Sequence, residues 1–462
     1  DGVSNITGVA NTGGLGDVLT KSYDALRRVT SVSLDFGGLF TKTSSFTYDA
    51  AGNRLSMTDA QGGVTTYAYD NIYRCTTLID PAANVSTYTY DAANKRIALD
   101  YPNGTTTSYT YDGAGRLTDI ALSDGSKAVL HTLHYLYDNV GNKIQRTEDG
   151  AINTNYAYDS LHRLISTYYP SGDFHQYLYD EVGNRITEQV NGTPYFYYYD
   201  NDNRLYFETK TNANYIYDPN GNLINTNSVA GNAQYDYDYN NRLVSAQKNT
   251  SIITYEYAAG GDRISTSDGF NPVYYFYDFE TWWAEYSKPG LFNQLGEYDA
   301  IGAPIATYTF GPHVDEPLSI NKGGNINFYY YDGIGSVIQT RDQLGNQANA
   351  YEYDAFGNIV FQNELLPQPY KYTGREYDPV TDFYFYRARY YNPAAGRYLT
   401  KDPAGMVNGT NIYNYVLSNP VNLVDPSGLV WMLPEAQKPN IGSRNVGLNM
   451  RFGGANNRIL YS

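Results

Sequence analysis

Two acidic residues near the C-terminus stand in near-identical settings: Asp402 opens D-P-A-G and Asp425 opens D-P-S-G. Proline fixes φ and glycine supplies positive φ, so both read as turns. Two carboxyls held close cannot both ionise, and one keeps a proton. The ionised partner can take a proton from water while the protonated one polarises a peptide carbonyl. Such chemistry needs no metal, no cofactor and no nucleophilic side chain. The plainer reading is that each Asp caps its own turn, which D-P-x-G does routinely; on spacing alone that reading leads. Arg389 lies upstream in a Tyr-rich strand, "FYFYRARYYNP".

Other constellations are weaker. His131, His134, His162, His175 and His313 form no metal-like set. His131 and His134 sit three apart in a strand pattern, which puts them on opposite faces. No Ser-His-Asp grouping emerges. "GGLGD" (Gly13 to Asp17) lacks the Lys and the helix of a phosphate loop. Trp282-Trp283 reads as a buried anchor rather than a binding patch. Strand Tyr packs on strand Tyr by default, so carbohydrate binding is only weakly suggested.

What positions the two Asp residues is a repeat. Tyr-Asp followed by a turn recurs at Tyr23-Asp24, Tyr48-Asp49, Tyr69-Asp70, Tyr90-Asp91, Tyr111-Asp112 and onward to Tyr353-Asp354, most often about 21 residues apart. Tyr277-Asp278 and Tyr298-Asp299 count among the copies, with degenerate ones at Tyr239-Asn240 and Tyr257-Ala258. In "YTYDGAGRLTDIAL" Tyr109 and Tyr111 share one strand face. Asp112 can accept turn N–H groups, Gly115 can go left-handed, and Arg116-Leu117 opens the return strand. Each repeat is a β-hairpin, and a lone hairpin is marginal in water, so repeats must stack.

Composition agrees: 52 Tyr against 17 Phe and 3 Trp, 43 Gly, and only 17% charged residues indicate a mostly β protein. About 17 hairpins give about 34 strands, or ~160 Å of sheet, which coiled once closes a cylinder ~50 Å across. That is too wide for side chains to fill. The fold class expected is all-β, a hollow β-spiral. Net charge of −16 argues against nucleic acid or anionic membrane as the main partner. Lone Cys75 excludes an internal disulfide framework, and no apolar run reaches the ~20 residues of a membrane helix. Asp1 begins mid-pattern, without initiator Met or signal peptide, which suggests a piece of a longer chain.

The C-terminal text resembles the core of RHS/YD-repeat proteins, bacterial toxin shells related to insecticidal toxin-complex C subunits and to teneurins. The family pattern P-x-x-x-x-D-P-x-G-L is met from Pro420 through Asp425 to Leu429, with "RARYY" at Arg387 to Tyr391 and "GRY" at Gly396 to Tyr398. Asp382 stands where Gly is usual, and Asn392 where Asp is usual. The resemblance implies a spiral over 1–278, a spiral-to-cap transition over 279–372, and a core cap over 373–429. It implies that a variable cargo region begins over 430–462. It further implies aspartyl-type self-cleavage between Leu429 and Val430 by Asp402 and Asp425, with Arg389 orienting a carboxylate. At most this is autoproteolysis, and no cofactor is implied. Expected partners are a C-terminal toxin cargo inside the shell, the N-terminal remainder of the shell or a completing partner, an immunity protein and delivery machinery, with a secreted localisation. The competing reading is a teneurin-like adhesion scaffold without catalysis.

Overall fold

One hairpin shows how the repeat becomes a sheet. Thr106–Tyr111 pairs antiparallel with Leu117–Ser123, Tyr109 opposite Ile120. Thr107 and Tyr109 are buried, Ser108 and Thr110 exposed, so side chains alternate between the two faces and the tyrosines share the inner one. Between the strands Asp112 organises a five-residue turn. Its Oδ1 accepts the N–H groups of Ala114 and Arg116, both at 2.9 Å, and its Oδ2 accepts Arg116 Nε at 2.6 Å. Gly115 takes φ 77°, where a side chain would be strained.

The turn also fastens neighbours. Tyr111 Oη donates to the Arg96 carbonyl of the preceding hairpin at 2.8 Å. Arg116 donates forward to the Asp138 carbonyl at 2.9 Å and lies over the Tyr137 ring at 4.9 Å. The backward tyrosine bond recurs from Tyr48 to Val29, Tyr69 to Arg54, Tyr90 to Cys75, Tyr179 to Leu164 and Tyr257 to Leu243. The Tyr-Asp signature is therefore a clasp between repeats as well as a turn within one.

The computed structural model describes residues 7–10, 16–229, 231–279 and 292–434. Trp282-Trp283, Gly13 to Leu15 and residues 435–462 lie outside the described residues. The described residues include one sheet of 33 strands, from Gly8–Ala10 to Ile359–Glu364. Each strand pairs antiparallel with the next one in the chain, as in Thr41–Tyr48 with Arg54–Thr58 and Gln347–Tyr353 with Ile359–Glu364. A second, four-stranded sheet follows: Glu376–Asp378, Phe383–Tyr386, Arg389–Asn392 and Arg397–Tyr398. Among the described residues no helix is long and apolar enough to cross a membrane.

Two repeat assignments need correction. The copy placed at Tyr239-Asn240 is Tyr237-Asp238: Asp238 caps Asn240 and Arg242 at 2.9 and 3.0 Å, while Tyr239 is 89% exposed. Tyr298-Asp299 follows Tyr277-Asp278 by 21 residues but lies at the opposite end of the hairpins, because only one strand, Gln294–Tyr298, separates the two turns. The reason is an insertion. Asp278 and Asn293 make the usual clasp, with Asn293 N and Nδ2 at 3.2 and 3.1 Å from the carboxylate, and residues 279–292 are spliced between them. The ladder runs through this region without a break, from Val273–Tyr277 to Gln294–Tyr298.

The sheet coils on itself as a β-spiral. Val32, Leu34, Phe46 and Met57 of early strands pack against Phe276, Leu295 and Tyr298 of late ones. Leu78, Leu99 and Ile120 pack against Leu318, Phe328 and Tyr330. Farther along, Tyr235, Leu243 and Tyr255 meet Phe383, Phe385 and Tyr390 of the small sheet. Arg263–Ser267, Val273–Tyr277 and most of Pro317–Lys322 are thus covered on both faces, whereas Val18–Tyr23 alternates between exposed and half-buried. The expected all-β spiral is thus observed, with the late strands and cap packed against the inner face of earlier strands.

Cations on the inner face join the layers. At four turns where Asn or Lys replaces the turn Arg, a cation follows in the next position: Asn53-Arg54, Lys95-Arg96, Asn142-Lys143 and Asn184-Arg185. Arg54 lies 3.5 Å from Asp278, Arg96 pairs with Glu316, and Lys143 donates to the Val421 carbonyl at 3.0 Å. Arg185 donates to the Ala394 carbonyl at 2.8 Å, and Arg263 pairs with Glu376. These groups are largely buried, so each cation left without its partner costs more than a surface ion would.

The clasps and the buried charges each set a measurable stability. Asp112→Ala strands two turn N–H groups and frees Arg116; it should cost about 1–3 kcal/mol, read by denaturant unfolding, while Tyr111→Phe should cost about 1 kcal/mol. Asp262 stands in a turn whose capping Asp is replaced by Ala258, and burial pushes its carboxyl up to about 7 against the pull of Arg387 and Lys21. A carboxyl that holds its proton more tightly when folded loses the chain stability as pH rises from the ordinary carboxylate range through about 7. Asp262→Asn should remove that loss, raising the melting temperature at pH 8 by a few degrees and barely changing it at pH 4.

Candidate functional site

The small sheet brings the acidic turns together. Arg389 begins a strand that pairs back onto Tyr386, and two positions along, Tyr391 lies opposite Tyr398. Ala388 N–H donates to the Ser427 carbonyl at 3.2 Å, which docks the D-P-S-G turn on this hairpin. On the other side, Asp402 N–H donates to the Ile412 carbonyl at 2.9 Å and fixes the D-P-A-G turn. Asp402, Asp425, Arg389 and Leu429 are all buried, and Val430 is half-buried.

Each carboxylate divides its work between its two oxygens. Asp402 Oδ1 accepts the Ala404 N–H at 2.8 Å. Asp425 Oδ1 accepts the N–H groups of Leu429 and Val430, both at 3.1 Å, and the Ser427 hydroxyl at 3.2 Å. Both residues therefore cap their own turns. Their Oδ2 atoms converge on one guanidinium nitrogen: Arg389 Nη2 lies 3.1 Å from Asp402 Oδ2 and 3.6 Å from Asp425 Oδ2. Turn capping and a shared site are not exclusive here, because each function uses a different oxygen.

Arg389 is held on every side. Its Nε donates to the Gly428 carbonyl and its Nη1 to the Ile412 carbonyl at 3.1 Å. Its plane rests 3.6 Å from the Tyr398 ring centre. A planar fork with fixed donors suits this task better than an ammonium group does.

Tyr398 is a site residue that the sequence reading missed, although it ends the "GRY" element. Its hydroxyl donates to Asp425 Oδ2 at 2.7 Å. Burial, and then the charge of Asp425, hold this phenol far above its ordinary range, so it acts as a donor. Its place beside Arg389 depends on strand register across the small sheet, which sequence spacing does not convey.

The Leu429–Val430 bond lies between the D-P-S-G turn and a returning segment. Met432 pairs with Val424 through two backbone bonds of 2.7 and 3.0 Å, and Trp431 packs on the cluster of Tyr386, Tyr391, Tyr398 and Tyr415. Gly428 takes φ 68°, and a Cβ there would collide with the Tyr386 carbonyl oxygen. The glycine of the motif is thus a packing requirement. The two departures from the family pattern are accommodated: Asp382 takes φ 63° and accepts the Tyr377 hydroxyl at 2.6 Å, and Asn392 Oδ1 accepts the Ala395 N–H at 3.2 Å.

Among the described residues one His–carboxylate group has metal-like spacing: His131, Glu148 and Asp149. The sequence reading missed it because the acidic pair lies on and just after the next strand. The ring nitrogens already face these groups, Nδ1 at 3.2 Å from Asp149 and Nε2 at 3.6 Å from Glu148, and Arg146 binds Glu148 at 2.7 Å. His134 pairs instead with Asp119 at 2.6 Å. Cys75 is buried, and burial pushes its thiol up to about 12.

The geometry has parallels in known proteins. The Teneurin YD-shell family model matches residues 17–212. The tRNA3(Ser)-specific nuclease WapA of Bacillus spizizenii is 32% identical over 191 residues, 40% of this chain and 8% of that protein. Toxin subunit YenC1 of Yersinia entomophaga is 47% identical over 68 residues, 15% of this chain and 7% of that protein. The crystal structure of TcdB2-TccC3-TEV superposes with a TM-score of 0.73 at 22% identity, over 92% of this chain and 24% of that one. The chain thus spans less than a tenth of these two relatives and about a quarter of that structure.

Gly428→Ala should displace the turn that carries Asp425, by the clash with Tyr386 and by left-handed strain of about 1–3 kcal/mol. Limited proteolysis should then open the segment around residue 428 well before the sheet, whereas Gly405→Ala, whose Cβ would meet nothing within 4 Å, should open it much less. With its clasped Tyr-Asp hairpins and its coiled all-β sheet, the chain shares the β-spiral fold of the TcdB2-TccC3 structure and is similar in sequence to YD-repeat shell proteins over 17–212.

Proposed function

We propose that this chain is the C-terminal part of a shell that encloses a toxin cargo, and that Asp402 and Asp425 cut the Leu429–Val430 bond to free that cargo inside. The observation that carries the reading is the placement of Asp425 Oδ1 at 3.1 Å from Val430 N, the nitrogen that would leave, with Asp402 on the same Arg389 nitrogen. Asp402 takes a proton from a water that attacks the Leu429 carbonyl carbon. Asp425 delivers a proton to Val430 N as the C–N bond breaks. One product ends in the Leu429 carboxylate and the other begins with the Val430 amine. Arg389 holds both acids in place throughout, and tethering supplies the effective concentration of substrate.

The relatives support the shell reading by their names. A tRNA nuclease, a toxin subunit and the toxin protein Tse5 of Pseudomonas aeruginosa share this text. The cargo, an N-terminal remainder or completing partner, an immunity protein and delivery machinery are the partners this reading requires, and delivery outside the producing cell is the localisation it implies. A teneurin-like scaffold without catalysis is the second reading, and the family match over 17–212 is the observation that favours it.

Asp402→Asn and Asp425→Asn test the reading. Each keeps the size of the side chain and removes the acid. Each should leave the chain folded and slow release of the piece beginning at Val430 by at least ~100-fold, measured by N-terminal sequencing after timed synthesis. Undiminished release from both variants would exclude the two acids.

A further inference from the structure

We infer that Tyr398 is a positioning residue for cleavage of the Leu429–Val430 bond: its hydroxyl fixes the Asp425 carboxylate so that Oδ1 faces the peptide. The inference rests on the cleavage reading above and adds a residue to it.

Asp425 has two polar neighbours on its Oδ2 side, and they are not equal. The Tyr398 hydroxyl lies at 2.7 Å, while the Arg389 nitrogen lies at 3.6 Å and is nearer to Asp402, at 3.1 Å. Arg389 therefore serves Asp402 first, and the phenol is the closer partner of Asp425. With Oδ2 held there, Oδ1 is left to the N–H groups of Leu429 and Val430. A carboxylate pinned at one oxygen by a fixed donor cannot rotate its other oxygen away from the amide.

The phenol is itself immobile. Tyr398 is 1% exposed, and its N–H donates to the Tyr413 carbonyl at 3.0 Å. Its ring lies between the Arg389 plane and the rings of Tyr386, Tyr391 and Tyr415, with ring centres 5.8 to 6.0 Å away. Phenylalanine would satisfy every one of these packing contacts. The hydroxyl is the part that packing does not require, and it donates to Asp425. The charged or titratable groups facing Asp425 are then Arg389, Asp402, Tyr398 and Tyr415.

Tyr398→Phe in the full chain is the test. Cell-free synthesis with a timed chase gives the rate at which the Val430 fragment appears, across a series of pH values. Thermal unfolding of Tyr398→Phe in the uncut Asp402→Asn background reports folding separately. The expected result is a rate lowered about 10- to 100-fold, a high-pH limb, where the proton donor Asp425 is lost, moved to higher pH, and a melting temperature within a few degrees of the parent. The limb moves that way because the phenol's hydrogen bond favours a charged acceptor over a neutral one. A rate and profile equal to the parent overturn the inference, and so does a slower rate with an unmoved profile, which would make Tyr398 merely structural. If the parent chain itself is not cut, the cleavage reading falls and this inference falls with it.

Discussion

Everything in this molecule depends on an aspartate that spends both carboxylate oxygens inside a five-residue turn. One oxygen takes two backbone N–H groups, and the other takes the side chain that closes the turn. The preceding tyrosine then reaches back to the last hairpin, and the closing arginine reaches forward to the next. A hairpin of two short strands is marginal alone. Joined in both directions it becomes one unit of a continuous sheet. The Asp278–Asn293 clasp keeps the same pairing although residues 279–292 stand between its two ends in sequence.

In strands such as Val85–Tyr90 and Thr106–Tyr111 the tyrosines lie toward the buried face and small polar residues toward the other. The inner face also carries the cations Arg54, Arg96, Lys143, Arg185 and Arg263. Each finds a specific acceptor in a late turn or in the cap, so the winding has a register. The same contacts fix the small sheet against the wall. Arg389 and its two acids are thereby held at the end of a rigid frame, as a site that depends on sub-ångström placement requires.

The local physics was legible in the sequence. Alternation placed Tyr109 and Tyr111 on one face, and Asp112 and Gly115 marked the turn. The two Asp-Pro turns stood out against the repeats around them. What could not be read was whatever depends on parity or winding. A spacing of 21 residues made Tyr298-Asp299 look like the next copy, when an insertion had moved it to the other end of the hairpins. Tyr239 looked like a degenerate copy because it follows a true one by two residues. Sheet width pointed to a coiled wall, but width says nothing of which late strands and cap residues pack against that wall. Tyr398 escaped notice because its partner, Asp425, is 27 residues away in sequence and adjacent only because the D-P-S-G turn docks on the small sheet.

The central claim is that this frame holds two acids against one peptide bond so that the bond breaks. The direct measurement is the intact mass of the natively purified chain, with N-terminal sequencing of every species. The account predicts two species, one ending at Leu429 and one beginning at Val430, in place of a single chain of 51.8 kDa. A single uncut species from a folded sample would contradict it.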